Sequence, residues 1–192
     1  MNFEAGKCYH IYNRSFEKTP IFLNQKNYNF FIKKLGSLNS CCSILEYCLM
    51  PNHFHLLIYT VDINEKPLIT TSELELLPRK IGTVLSSYTQ AFNKQNKRTG
   101  SLFQPKTKSK ELTKKDYSLI CFHYIHQNPF KAKLVSRLED WEFSSFNEYN
   151  LNRNGICDRK QAVQILDLPH DKELFYKQSY TIIQSEEIFK YE

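Results

Sequence analysis

Two histidines bracket one bulky apolar residue in the stretch Met50-Pro51-Asn52-His53-Phe54-His55-Leu56-Leu57-Ile58. On a β-strand, residues i and i+2 point to the same face. His53 and His55 therefore project together, and Phe54 turns into the packing layer behind them. Two imidazoles side by side on a sheet can grip one metal ion. Taken alone, His-x-His in a strand is more often a half-buried or surface pair. The turn signal before it, the apolar run after it and a matching helical segment downstream favour the metal.

That helical segment carries Tyr124 and Asn128, four residues apart and so one above the other. If it crosses the histidine strand, a phenol and an amide oxygen face two imidazoles. A metal bound by His53, His55 and the Asn128 oxygen keeps open positions for a phosphodiester oxygen, with the Tyr124 hydroxyl placed to attack. A free phenol, with a pKa near ~10, is a poor nucleophile at neutral pH. A divalent ion compensates by polarising the phosphoryl oxygen and orienting the phosphate. Attack by tyrosine stores the phosphodiester energy in a covalent link, which suits strand transfer better than hydrolysis. The plainer readings are a core tyrosine at 124 and an ordinary helix-end asparagine before Pro129. His123 and His126 point elsewhere on an ideal helix and read as surface or DNA-contacting. His10 and His170 receive no role.

Positioning these groups requires a particular set of elements. Lys7 to Arg14 is rich in β-formers and reads as a first strand. Asn24 can cap a helix that carries Tyr28, Phe31, Ile32 and Leu35 at helical spacing and ends near Gly36. Ser43 to Leu49 reads as a second strand, Pro51-Asn52 as a turn, and His53 to Val61 as a third strand. A loop over 62–72 precedes a strongly amphipathic helix through Leu77, Ile81, Val84, Leu85, Tyr88 and Phe92. Ser101 to Lys110 reads as a fourth strand, interrupted by Pro105. A last helix starts at a capping-box-like Thr113/Asp116 pair and runs to about Gln127, before Asn128-Pro129. Its face bearing Tyr117, Ile120, Cys121, Tyr124 and Asn128 should meet the sheet.

The first six elements match the ferredoxin-like split β-α-β order. The expected fold class is α+β, a ferredoxin-like antiparallel sheet of four to five strands with helices on one face. Residues 1–150 form the expected catalytic domain. Trp141 to Phe146 folds back onto it, and residues 151–192 read as a C-terminal helical appendage. The sequence holds no internal repeat and no low-complexity tract.

The bulk properties fit this reading without deciding it. The 192 residues are 41% hydrophobic, enough for one domain with appendages, and carry a net charge of +6 with 12 Tyr and 14 Phe. Basic residues interleaved with aromatic rings are how single-stranded nucleic acid is held. From Lys94 to Lys115, eight basic residues (Lys94, Lys97, Arg98, Lys106, Lys108, Lys110, Lys114 and Lys115) stand against one acid before Thr113, Glu111. A charge run is usually a solvated face. Beside a phosphate-attacking site, phosphate contact is the better reading, with Lys106, Lys108 and Lys110 alternating along a strand and Arg14 a weaker candidate. The six cysteines form no CxxC pair. With no leader-like start or long apolar run, a reduced cytoplasmic protein is expected.

Pro51-Asn52-His53-Phe54-His55 resembles the "HUH" motif, histidine–bulky hydrophobic–histidine, of the single-tyrosine transposases. Tyr124-Ile125-His126-Gln127-Asn128-Pro129, followed by Ala132 and Leu134-Val135, resembles the Tyr-Ile-x-x-Asn-Pro segment of one branch, the REP-associated tyrosine transposases. Trp141 to Ser145 is similar to the Trp-x-x-Ser-Ser stretch of that branch. The resemblance spans roughly Lys7 to Tyr149. It implies His53 and His55 as metal ligands, Tyr124 as nucleophile and Asn128 as the group completing the metal site. It also implies Mg²⁺ or Mn²⁺, single-stranded DNA substrates carrying hairpins, a 5′-phosphotyrosine link and a free 3′-hydroxyl. The protein is then a monomer or homodimer. Two positions depart from the branch: Gln127 replaces a usually apolar residue, and Phe130 a small β-branched one. Neither removes a chemical group, so both should alter packing.

Two rivals remain. A histidine-triad nucleotide hydrolase needs a third histidine where this chain has Leu57. A catalytically idle DNA-binding protein of the same fold would keep the groups without turnover.

Overall fold

The computed structural model describes residues 1–61 and 71–181. The loop expected over 62–72 falls largely outside them. Four strands, β1 (Lys7–Arg14), β2 (Ser43–Met50), β3 (His53–Thr60) and β4 (Lys108–Leu112), form one sheet in the order β2-β3-β1-β4. Every pairing is antiparallel. With α1 (Gln25–Leu35) after β1 and α2 (Thr71–Gln95) after β3, this is the ferredoxin-like arrangement.

Local signals account for the elements. The Asn24 side chain caps α1 by accepting from the Asn27 amide. Tyr28, Phe31 and Leu35 then fall on one buried stripe. Leu77, Ile81, Val84, Tyr88 and Phe92 do the same for α2. Both stripes pack with Tyr9, Ile11, Ile44, Tyr47, Leu49, Phe54, Leu56 and Ile58 in a single apolar layer.

The expectation of helices on one face holds for α1 and α2 alone. The tyrosine-bearing helix α3 (Lys115–Lys131) covers the opposite face. There Cys121, Phe122, Tyr124 and Ile125 pack with Cys8, Leu45, Cys48, Leu57, Tyr59 and Leu112. The reason lies in the strands: β1, β2 and β3 are buried along almost their whole length. A sheet that is apolar on both faces must be covered on both. Helices α4 (Phe146–Asn150), α5 (Arg159–Leu166) and α6 (Lys172–Ser179) continue this second layer, with Phe146, Ala162, Leu166 and Phe175 buried in it. Consequently α3 is buried on nearly all sides from Cys121 to Gln127, while Tyr117 is exposed.

Two boundaries differ from expectation. β4 begins at Lys108, not Ser101; Pro105 lacks an amide hydrogen, and the preceding segment forms no strand ladder. It meets the sheet at an isolated Ser15–Phe103 bridge and at Gln104, which accepts from the Asn13 side chain and donates to the Arg14 carbonyl. α3 continues past Pro129 to Lys131, and its N-cap is Lys114, with no side-chain capping bond. Pro129 cannot donate to the Ile125 carbonyl. The Asn128 side-chain amide fills in, donating to the Tyr124 and Ile125 carbonyls at 3.1 and 3.3 Å. No described helix is long and apolar enough to cross a membrane.

Candidate active site

Register decides which side chains meet. On β3, Phe54, Leu56 and Ile58 enter the α1/α2 layer, so His53, His55 and Leu57 face α3. Arg14 pairs across from His53, Tyr12 from His55 and His10 from Leu57. On the other side of β1, Lys108 lies opposite Tyr12 and Lys110 opposite His10. One sheet face thus carries three histidines, a tyrosine and flanking cations.

The two strand histidines are each held from behind. His53 Nδ1 lies 2.6 Å from Asn52 Oδ1. The Asn52 amide nitrogen donates to the Lys18 carbonyl, so its oxygen is the atom turned to the ring. His53 must therefore donate through Nδ1, which leaves a lone pair on Nε2. His55 Nδ1 lies 2.9 Å from His10 Nε2, both rings deeply buried. The His53 and His55 ring centroids are 5.1 Å apart and perpendicular. Burial, reinforced by the nearby Arg14 guanidinium, lowers His53 to about 4. Burial lowers His55 well below the ordinary imidazole value, with His10 and His53 adding to the effect. Burial and Lys110 push His10 down to about 3. All three rings are neutral at pH 7, the form that ligates a cation.

A cavity of about 300 Å³ opens in front of them, lined by Tyr12, Arg14, Asn52, His53, His55, Gln104 and three lysines, Lys18, Lys106 and Lys108. The Lys108 ammonium sits 5.4 Å above the Tyr12 ring. A neutral pair of ring nitrogens inside a cationic rim suits an anionic ligand, and the two imidazoles can hold a cation beside it. Among the described residues no third His, Cys, Asp or Glu joins the pair as a metal-binding cluster. Among the described residues, a further ligand would be an amide, a phenol or a backbone carbonyl oxygen, beside water or the substrate itself.

Tyr124 reaches this place from α3. Its ring centroid is 6.4 Å from that of His55, edge to face, and the Lys131 ammonium lies 4.9 Å from its ring centre. It is 6% exposed and is not among the residues lining the cavity. Asn128 uses its amide nitrogen to patch its own helix, which leaves Oδ1 outside those bonds.

The other expected site residues divide. Arg14, Lys106 and Lys108 line the cavity. Lys110 stands further along β4, opposite His10. Lys114 lies over the Tyr117 ring and Lys115 pairs with Asp167, so both sit at the start of α3 and not in the cavity wall. His123 and His126 are buried, not surface residues. His126 Nε2 lies 2.9 Å from Ser145 Oγ, and its Nδ1 is 3.1 Å from Glu46 Oε1, misaligned for a hydrogen bond. Burial raises Glu46 and lowers His126, so both are pushed toward their neutral forms.

Sequence reasoning missed His10, Tyr12, Asn52, Lys18, Gln104 and Lys131. Asn52 reads only as a turn residue beside the histidines, and Lys18 carries no pattern of its own. His10 and Tyr12 alternate on the first strand, a period-2 signal that placed them on one face without saying which.

No family model matches the chain, and no curated protein matches it. Among solved structures it is similar to a REP-associated tyrosine transposase bound to a REP hairpin. The TM-score is 0.53 at 18% identity, over 82% of this chain and 87% of that one. The likeness is one of fold. It agrees with the four-stranded antiparallel sheet and its helices.

Proposed function

We propose that this protein is a metal-dependent transposase-type nuclease that cleaves and rejoins single-stranded, hairpin-bearing DNA through Tyr124. One observation carries this reading. His53 and His55 stand side by side with their Nδ1 atoms engaged, in a lysine- and arginine-rimmed cavity, 6.4 Å between rings from a tyrosine on a helix packed across them. The resemblance of the HUH and Tyr-Ile-x-x-Asn-Pro segments and the hairpin-bound fold neighbour support it.

Arg14, Lys18, Lys106 and Lys108 neutralise the strand's phosphates and hold it along the cavity. His53 and His55, with Asn128 Oδ1, are the proposed ligands of Mg²⁺ or Mn²⁺. Such an ion, when bound, supplies Lewis-acid polarisation of the scissile phosphoryl oxygen. Tyr124 Oη attacks phosphorus and the bond to the 3′-oxygen breaks. The phenol proton is lost and the departing oxygen gains one, giving a 5′-phosphotyrosine and a free 3′-hydroxyl. No phosphodiester is hydrolysed, so a second 3′-hydroxyl can reverse the step. Tyr124 is 6% exposed and outside the cavity lining, so this reading requires the phenol to turn into the cavity as the strand enters.

The test is incubation with hairpin single-stranded DNA and Mn²⁺, followed by a denaturing gel. Wild-type protein gives a covalent adduct; Tyr124→Phe binds the DNA and gives none, and His53→Ala gives none. An adduct surviving in Tyr124→Phe assigns the nucleophile elsewhere. The low exposure of Tyr124 favours a second reading, a DNA-binding protein of this fold without turnover. Tight hairpin binding by wild type with no adduct in Mg²⁺ or Mn²⁺ selects it.

A further inference from the structure

His53 and His55 need the same preparation before either can ligate a cation: a proton on Nδ1 and a lone pair on Nε2. Asn52 Oδ1 can only accept, so it imposes this state on His53. His55 has no such one-way partner. It shares a single 2.9 Å contact with another imidazole, His10. Between two neutral rings that contact holds one proton, and the proton can sit on either nitrogen. On His10 Nε2 it would leave His55 protonated at Nε2 and unable to ligate. On His55 Nδ1 it frees Nε2 for the cavity.

We infer that His10 is a positioning residue for the metal site, accepting from His55 Nδ1 and so selecting the His55 tautomer that presents Nε2. The inference rests on the proposed role of His53 and His55. His10 is built for this task. It is 0% exposed on β1, which is hydrogen-bonded on both sides. Its ring stacks on Tyr12 at 4.8 Å with an interplanar angle of 25°, and lies within 19° of the His55 ring plane, as an in-plane contact between their nitrogens requires. Stacking fixes the ring plane, and the strand fixes its height. An imidazole so held keeps His55 from rotating out of line. Outer partners of this kind set both tautomer and orientation of a ligating histidine, and removing one typically weakens metal binding about 10–100-fold.

The test uses Mn²⁺ itself, followed by electron paramagnetic resonance titration of the DNA-free protein. His10→Phe keeps an aromatic ring and removes the acceptor; His10→Gln offers Oε1 near the place of Nε2. His10→Phe should weaken Mn²⁺ binding by about tenfold or more, and His10→Gln should retain most of the affinity. Equal binding by His10→Phe and wild type overturns the inference, as does equal loss in both variants when both are folded. A measurement on unmodified protein does not depend on how the variants fold. ¹⁵N–¹H correlation of the metal-free imidazoles should find His55 protonated at Nδ1; protonation at Nε2 overturns the inference. His53→Ala binding Mn²⁺ as tightly as wild type would instead remove the two-histidine site, and the role of His10 with it. Failure of the adduct assay while the His10 series behaves as expected would reject Tyr124 and leave His10 standing.

Discussion

The two layers of this molecule are built from the same strands and differ in what they bury. Against α1 and α2 the sheet presents Tyr9, Ile11, Ile44, Leu49, Phe54, Leu56 and Ile58, a nearly unbroken apolar surface. Against α3 it presents His10, His55 and Glu46 among the apolar residues, and α3 answers with His123, Tyr124, His126 and Gln127. An apolar layer stabilises by area alone. A layer with buried polar groups is stable only where each finds a partner. The first layer therefore reads as foundation. The second reads as a set of positions. Some are fixed by a particular neighbour, as His55 is by His10 and Gln127 by the Ser179 and Thr181 carbonyls; others, such as His123, are buried without a hydrogen-bond partner.

If that division is right, truncation in the apolar layer should cost most. Phe31→Ala, at a fully buried ring in contact with Phe22, Phe54, Tyr88 and Phe103, should lower stability by about 3–5 kcal/mol in urea denaturation. A loss under 1 kcal/mol would break the comparison. In the α3 layer chemistry should matter more than volume. Glu46→Ala leaves a cavity beside His126 and should cost about 2–4 kcal/mol, whereas Glu46→Gln, which keeps shape and hydrogen-bonding capacity, should stay within about 1 kcal/mol. Equal losses would mean that the site is simply packed.

Acid probes the same layer. Burial lowers His123 to about 4, and neither of its ring nitrogens has a hydrogen-bond partner. Its folded value lies below the unfolded one near 6.5, so its contribution is intact above pH 6.5 and is lost as pH falls toward 4. His123→Leu should therefore lose about 2 kcal/mol less than wild type between pH 7 and pH 5, measured as unfolding free energy at each pH. Parallel profiles would place His123 in water.

The smallest effect belongs to Gln127, whose amide nitrogen donates to the Ser179 and Thr181 carbonyls, each at 2.8 Å. Gln127→Leu should cost about 1 kcal/mol and speed hydrogen exchange in α6 more than in α1. Uniform exchange would show that α6 is held elsewhere.

Much of the first layer was legible. The stripes of α1 and α2, the Asn24 cap and the period-2 pattern of β3 are local, and local patterns survive in one dimension. His53 and His55 were legible for the same reason. The second layer was not, because its contacts are made between elements. In β2 an irregularity between Ile44 and Glu46 turns the consecutive residues Leu45 and Glu46 toward α3. Strict alternation would have sent Glu46 the other way, so its meeting with His126 left no trace in the pattern. His10 and His55 meet through strand register across 45 positions. Gln127 departs from the apolar residue expected by resemblance, and its reason appears only once α6 lies against it.

Strand β3 runs through the middle of the sheet, paired on both edges, and serves both layers with alternate residues. Adding or removing one amino acid between His53 and Thr60 would reverse every side chain beyond that point, driving phenylalanine and isoleucine into the cationic cleft and imidazole into oil. This segment can change by exchange of side chains but not by change of length. Its span is a fixed gauge that holds the packing of the apolar layer and the lining of the cavity to one common setting.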